Sequence, residues 1–201
     1  SGRDLVFQRR PAPGIRRGLG RIVFPRLGQA VARRAHALVA TYGFVARGLK
    51  EDHLDRYAPI SIVPVGSNIP VAVTEAPHSG SAVMFGQPAG MDAAFVRAAA
   101  AALRAAGKPA LRWLCRSRDE AAEWPDAAGI PREALTLCAA FEAGAVSTEL
   151  MAASVAFAPI VDGVSTRRTT IAACLQHGLP IVGTHGRATD ALFRDSAAFS
   201  L

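Results

Sequence analysis

The stretch DGVSTRRTT, residues 162–170, places two arginines where a helix is predicted to begin. The apolar run SVAFAPIV (154–161) before it predicts a strand, and IAACLQHG (171–178) after it predicts a helix. A helix start carries partial positive charge, so Arg167 and Arg168 in its first turn would each be opposed by about 0.3–1 kcal/mol. A bound phosphate would reverse that sign, because arginine donates charge-assisted hydrogen bonds to phosphate.

The loop before this helix supplies further candidate groups for a phosphate site. Ser165 or Thr166 is predicted to cap the helix, and Gly163 would let a ligand approach the backbone closely. In the alternative interpretation, one arginine pairs with Asp162, the other points to water, and Gly163 is a simple turn glycine. The residues alone leave both interpretations open.

Ligands of open α/β sheets bind beyond the carboxyl ends of the strands. Candidate loops at such ends are 86–90, 141–146, 162–166 and 185–188. Each leads into a predicted helix start, where unpaired N–H groups attract anions. In the last of these regions, Thr184 and Gly186 are candidates to approach a sugar or phosphate, whereas Thr189 or Asp190 is predicted to be a helix cap.

Alternating strand and helix patterns predict the elements that position these loops. Strands are predicted over 81–86, 110–115, 134–141, 154–161 and 179–184. Helices are predicted over 91–107, 117–129, 147–153 (capped by Ser147), 166–178 and 189–195. Five such repeats with short loops predict an α/β fold, with a parallel sheet covered by helices on both faces.

Before residue 81 the pattern is different. A helix is predicted over 26–35, a strand over 36–41, a helix over 42–54 and a strand over 60–66. The stretch SNIPVAVTEAPHSG (67–80) has no periodicity and contains Pro, Gly and Ser, so it is the candidate interdomain linker.

Charge is concentrated in the first quarter of the 201-residue chain. Residues 1–50 contain eleven Lys and Arg and one acid, a net charge of +10, and the remainder has a net charge of −3. This quarter could face phosphates of an anionic membrane surface or a lipid-linked acceptor. Nucleic acid is not predicted as a partner, because the arginines are not interleaved with aromatic stacking residues.

Composition excludes several other classes. The chain has no apolar run of the ~18–20 residues that span a bilayer, and its N-terminus lacks the apolar segment of a signal peptide. The three isolated cysteines are predicted to be buried free thiols, as in a reducing cytosol. Their spacing with histidines does not fit a metal site. A cytoplasmic location, peripheral to the inner membrane face, is therefore expected.

The order VPVGSNIPV (63–71), VMFG (83–86) and DGVSTRRTTIAACLQHGLPIVGTHGRATD (162–190) resembles the retaining glycosyltransferases of the GT-B fold, family 4 in particular. The resemblance implies two Rossmann-like, doubly wound domains that face each other across a cleft. Residues 1–66 would be the C-terminal part of the acceptor domain, 67–80 the linker, and 81–201 most of the nucleotide-sugar-binding domain.

The resemblance also implies a set of donor-binding residues. Gly86 matches the family's glycine beneath the donor phosphates, and Gln87 stands where the family often has arginine. The family's donor-contacting glutamates fall at Ser165 and Ala173, so the Glu-x7-Glu pattern is absent. Arg167 and Arg168 are the hypothetical replacement for the missing Arg/Lys pair and carry the catalytic role. The other implied phosphate and donor contacts are Asp162, Gly163, Val164, Thr166, Thr184 and Gly186, with Phe141 and Glu142 near the base.

The activity implied is transfer of a sugar from a nucleotide diphosphate sugar to an acceptor hydroxyl, with retention, as in glycan or polysaccharide biosynthesis. The acceptor would be a saccharide or lipid-linked, and neither metal nor cofactor would be needed. The chain alone is expected to be an inactive fragment. A non-catalytic nucleotide-sugar-binding or interaction domain is the alternative. A dinucleotide-binding oxidoreductase is disfavoured, since no GxGxxG follows a strand.

Overall fold

The computed structural model describes residues 26–71, 80–116, 118–138, 142–194, 196 and 199–200. Its contacts divide the chain into two compact units, Ser1–Pro64 and Val65–Leu201. Residues 72–79 of the predicted linker lie outside the described residues, whereas Ile69 packs into the core of the second unit. The assignment of acceptor domain, linker and donor domain stays a prediction.

Residues 26–64, the described part of the first unit, contain a short helix and a parallel β-α-β crossover. Residues 26–32 form helix α1, and strand β1 (Leu38–Ala40), helix α2 (Gly43–Glu51) and strand β2 (Ile60–Ile62) follow it. The two strands pair in parallel. They share a small core with the helices, made of Ala32, Ala40, Ala46, Leu49 and Leu54. The predicted elements are thus present in this unit, with shorter bounds.

The second unit is built around one parallel sheet. Its strands are β3 (Ser81–Phe85), β4 (Leu111–Leu114), β5 (Leu135–Cys138), β6 (Ala153–Ala158), β7 (Ile181–Gly183) and β8 (Phe199–Ser200). Among the described residues the strand order is β5-β4-β3-β6-β7-β8, with every neighbouring pair parallel. The chain runs outward from β3 to one edge and then returns to β6, so the topological switch point lies between β3 and β6.

Helices cover both faces of this sheet. They are α3 (Ala93–Ala105), α4 (Arg118–Ala127), α5 (Ala143–Ala152), α6 (Thr169–Gln176) and α7 (Ala191–Arg194). Val83 points to a core shared with α5 and α6, whereas its strand neighbours Ala82 and Met84 point to a second core with α3 and α4. This alternation along one strand follows from the period of two. The predicted α/β, Rossmann-like doubly wound sheet is confirmed.

Two predictions about individual elements are corrected. Strand β8 was not expected, because only two residues form it. Helix α5 begins at Ala143 rather than at Ser147. Ser147 is fully buried in the helix interior, where its hydroxyl lies 2.8 Å from Nε2 of His177, so it is not a cap. Val146 and Leu150 extend the apolar face on both sides of it.

None of the helices in the described part of the chain has the length and apolar character needed to cross a membrane.

The cysteines are free thiols, and their burial differs. Cys115 and Cys174 are buried as expected, whereas Cys138 at the end of the edge strand β5 is only half-buried. Cys174 lies on α6 within the core, and this burial raises the pKa of its thiol to about 12. The folded protein therefore holds this thiol protonated over a pH range in which the unfolded chain would ionise it.

A consequence for stability can be measured at high pH. Burial of the protonated Cys174 thiol contributes fully to the free energy of unfolding below the ordinary thiol pKa, and this contribution is lost as the pH rises toward 12. Between pH ~8 and pH ~10.5 the wild type should lose about 2 kcal/mol more free energy of unfolding than Cys174→Ala, by urea titration. Cys138→Ala, which removes a half-buried thiol, is the control: its pH-dependent loss of free energy of unfolding should differ less from that of the wild type. Parallel pH profiles for wild type and Cys174→Ala would contradict the argument.

Candidate functional site

The candidate site lies at the carboxyl ends of β3, β6 and β7, beside the switch point. The loops that follow β3 and β6 are joined by backbone hydrogen bonds. Asp92 N–H donates to the carbonyl of Pro159 at 2.8 Å, and Val161 N–H donates to the carbonyl of Gly90 at 3.0 Å. The two strand ends that flank the switch point are therefore held in one arrangement.

The loops after β6 and β7 are joined more extensively, and we call residues 160–166 and 184–190 together the loop clamp. The Ile160 N–H donates to Oγ1 of Thr184 at 2.9 Å, and this hydroxyl donates to the Ile160 carbonyl. Further backbone bonds, donor first, run from Val164 to Thr184 at 3.2 Å, from Ala188 to Asp162 at 2.8 Å and from Asp190 to Val164 at 3.3 Å. The clamp thus brings the predicted site residues of both loops together.

Two glycines make this packing possible. Gly163 has φ +90°, and a Cβ there would lie 2.1 Å from Oγ1 of Thr189 and 2.5 Å from the Gly186 nitrogen. A Cβ on Gly186 would lie 2.5 Å from the carbonyl carbon and oxygen of Asp162. Both glycines therefore let one loop approach the other. Their roles toward a sugar or phosphate stay predictions.

Helix α6 begins later than predicted. Its first residue is Thr169 and its N-cap is Arg168, so Arg167 and Arg168 precede the first turn instead of lying in it. Both arginines are half-buried. The prediction that Ser165 or Thr166 caps the helix is wrong, because the N-cap position is Arg168 and no side chain makes a capping hydrogen bond there. Arginine has no acceptor with which to make one.

Tertiary hydrogen bonds explain the late start of α6. The backbone N–H of Thr166 donates to Oδ2 of Asp190 at 2.7 Å, and its carbonyl accepts from the N–H of Val65 at 3.0 Å. Arg168 N–H donates to the Ser165 carbonyl at 3.1 Å, closing a turn. These bonds keep Thr166 out of the helix.

The sequence pattern did not identify the role of Asp190. Thr189 or Asp190 was predicted to cap a helix, and Asp190 does immediately precede α7. Asp190 is also 9% exposed, and its carboxylate accepts hydrogen bonds from both N–H and Oγ1–H of Thr166, at 2.7 and 2.9 Å. The only signal in the sequence is an acid placed at the end of the loop THGRATD. Its partner is 24 residues away, so no local pattern could have revealed the pairing.

The two positions that match the family's glutamates lie in the interior. Ser165 is 1% exposed and Ala173 is fully buried in the core beneath α6. A glutamate at either position would need a partner for its charge inside the protein. The Ser165 hydroxyl is buried and has no hydrogen-bond partner among the described residues. Such a group calls for an explanation, of which a bound water or ligand is one.

At the end of β3, Gly86 occupies a turn that only glycine adopts without strain, with φ +148°. The buried indole of Trp113 donates to its carbonyl at 2.9 Å. Gln87 is exposed beside it. The following helix α3 is capped, because the Asp92 side chain accepts from the N–H groups of Ala94 and Phe95 at 2.9 and 3.1 Å. The N-cap residue of α6, Arg168, makes no such side-chain hydrogen bond.

The remaining predicted residues are placed as follows. Asp162 forms an ion pair with Arg187 at 3.0 Å, so the carboxylate that was the alternative partner of the arginine pair is engaged by a different arginine. Val164 is fully buried. Phe141 lies outside the described residues, and Glu142 is exposed at the start of α5. Among the described residues no group of three His, Cys, Asp or Glu is arranged to hold a metal ion.

Solved structures of glycosyltransferases share this fold. A sucrose-phosphate synthase from Thermosynechococcus elongatus matches with a TM-score of 0.57 and 12% identity, over 82% of this chain and 44% of that one. A GtfA/B complex matches with a TM-score of 0.56 and 15% identity, over 87% of this chain and 35% of that one. The pneumococcal O-GlcNAc transferase GtfA, solved with UDP and GlcNAc, matches with a TM-score of 0.54 and 12% identity, over 85% of this chain and 35% of that one.

At such low identity these similarities concern the fold alone, and this chain spans less than half the length of each of the three. No protein-family model matches the sequence, and no curated protein matches it either.

The clamp geometry predicts a large effect of small substitutions. Gly163→Ala and Gly186→Ala should each lower the free energy of unfolding by about 3 kcal/mol, because the new methyl group meets backbone atoms that cannot move away easily. Urea-induced unfolding measures this. The control is Gly144→Ala in α5, where an added Cβ meets nothing within 4 Å and the stability should rise by about 0.5–1 kcal/mol. Equal stability of the wild type and both clamp variants would refute the packing argument.

Proposed function

We propose that the protein is a glycosyltransferase that moves a sugar from a nucleotide diphosphate sugar to an acceptor hydroxyl with retained configuration. The donor diphosphate binds at the start of α6, against Arg167 and Arg168. The observation that carries the proposal is this arginine pair, placed immediately before a helix start at the carboxyl edge of β6.

Electrostatics at the start of α6 favour an anion. The first turn of a helix leaves N–H groups without intrahelical partners, and they carry the positive end of the dipole. The N-cap residue of α6, Arg168, makes no side-chain capping hydrogen bond, and its guanidinium group adds a second source of positive charge. At α3, across the switch point, the Asp92 carboxylate already fills the corresponding position. A diphosphate is therefore accommodated better at α6 than at α3.

The buried hydroxyl of Ser165 supports the same location. Ser165 lies two residues before Arg167, and its hydroxyl has no hydrogen-bond partner among the described residues. Ser165 stands at a position of the family's donor-contacting glutamates, and a hydroxyl can donate to a phosphate or sugar oxygen where a carboxylate can only accept.

The reaction we propose depends on stabilising the leaving diphosphate. As the bond to the sugar breaks, negative charge builds on this group, and preorganised donors that meet the charge lower the barrier. Helix N–H groups and the two guanidinium groups supply such donors, with Gly86 and Gln87 at the neighbouring strand end. Neither a metal nor a cofactor has a step in this scheme, and Glu142 with Phe141 would border the base.

The wider setting is also part of the proposal. Residues 1–66 would end an acceptor-binding domain, and a saccharide or lipid-linked acceptor would be presented by it. The basic first quarter of the chain would contact an anionic membrane at its cytoplasmic face, as in polysaccharide biosynthesis. The fold neighbours are glycosyltransferases, which supports the reaction class.

A second candidate function is binding of a nucleotide sugar without catalysis. The observation that favours it is the interior placement of Ser165 and Ala173, where the family carries glutamates. Under this alternative the protein binds a nucleoside diphosphate but turns over no donor.

Binding tests the proposed site directly. Calorimetric titration of the protein with UDP, GDP and ADP should give binding for at least one of them. Arg167→Ala/Arg168→Ala should weaken it about tenfold or more, since hydrogen bonds between charged groups contribute about 1.5–3 kcal/mol each. An unchanged Kd would refute the role of the pair.

The matched control is Arg132→Ala, which removes a surface arginine paired with Asp126 far from α6 in sequence and leaves the Kd unchanged. Turnover of the corresponding nucleotide sugars, with the anomeric configuration of the product read by NMR, separates the transferase from the binding protein. Inversion at the anomeric carbon would contradict the retaining mechanism.

A further inference from the structure

Asp190 makes two hydrogen bonds to one residue of the arginine loop. Its Oδ2 accepts from the backbone N–H of Thr166 at 2.7 Å and from the Thr166 hydroxyl at 2.9 Å. Asp190 is 9% exposed, so these bonds form largely away from water. Hydrogen bonds to a carboxylate are stronger than those between neutral groups, and burial strengthens them further.

Thr166 is consequently fixed on both sides. Besides its bonds to Asp190, its carbonyl accepts from Val65 N–H at 3.0 Å. The next residue is Arg167, and Arg168 N–H closes the turn onto Ser165 at 3.1 Å. The backbone that presents the two arginines therefore begins at a residue whose position Asp190 determines.

Asp190 is itself held by rigid neighbours. Its N–H donates to the Val164 carbonyl at 3.3 Å, and its carbonyl accepts from the N–H of Phe193 at 3.1 Å. Val164 is fully buried and Phe193 is 3% exposed, both in the core. The carboxylate is thus anchored by packing, as a residue that orients a binding group must be.

We propose that Asp190 is a positioning residue for the diphosphate site: through Thr166 it holds Arg167 and Arg168 in the geometry that receives the two phosphates. This inference rests on the proposed function. The inference goes beyond that function because it assigns a role to the buried carboxylate of Asp190. This carboxylate preorganises the arginine pair and does not itself contact the ligand. Misplacement of about 1 Å in such a pair is enough to weaken a site substantially.

The test is a set of variants titrated with UDP, GDP or ADP, whichever the wild type binds. Asp190→Ala should raise the Kd about tenfold, and Asp190→Asn, which keeps an oxygen acceptor, should restore most of the affinity. Thr166→Val removes the hydroxyl and should raise the Kd about threefold, whereas Thr166→Ser keeps the hydroxyl and should bind more tightly than Thr166→Val. Asp190→Ala combined with Thr166→Val should bind no more weakly than Asp190→Ala alone, because both act on one contact.

A core variant separates affinity from stability. Leu150→Val in α5 removes a methylene from a fully buried side chain and serves as a control of lowered stability, with an expected Kd equal to that of the wild type. An unchanged Kd in Asp190→Ala would overturn the inference. If that variant does not fold, Thr166→Val and Thr166→Ser decide, and equal Kd values for these two would overturn it. Absence of nucleoside diphosphate binding by the wild type would instead refute the proposed function.

Discussion

The contact between Gly163 and Gly186 is the constraint on which the site region depends. The two loops of the clamp lie so close that an added Cβ on either glycine would come within 2.5 Å of the other loop's backbone. This proximity brings the carbonyl of Asp162 to Ala188 and the carbonyl of Val164 to Asp190. It also carries the Asp190 carboxylate to Thr166, and so the start of α6 follows from it.

Charge around the switch point is distributed with a clear asymmetry. On the β3 side, Asp92 caps α3 and supplies the negative charge that a helix start favours. On the β6 side, Asp190 accepts from Thr166 and Asp162 pairs with Arg187, and the N-cap residue of α6, Arg168, makes no side-chain capping hydrogen bond. In the proposed function, the donor diphosphate would supply the negative charge at the start of α6.

Hydrophobic periodicity was sufficient to predict most of the fold. Runs such as SAVMF and ASVAFA bury side chains on both faces of a parallel sheet, and these runs became β3 and β6. The predicted helix and strand boundaries were in part wrong, because polar residues there can adopt several local hydrogen-bonding arrangements. The serine at position 147 has the chemistry of a cap but lies in a helix whose apolar face begins earlier. The two-residue strand β8 is too short to have a periodic signal at all.

The sequence by itself determined the α/β alternation, the loops at the strand ends and the unusual arginine pair at 167–168, because these depend on residue type and local spacing. Tertiary structure alone decided that α6 starts at Thr169, that Gly163 meets Gly186, and that Asp190 orients Thr166. The physical reason is that these last features arise between segments more than 20 residues apart. Parallel strands bring such segments together only after the sheet has formed, and no local pattern encodes which polar groups will then meet.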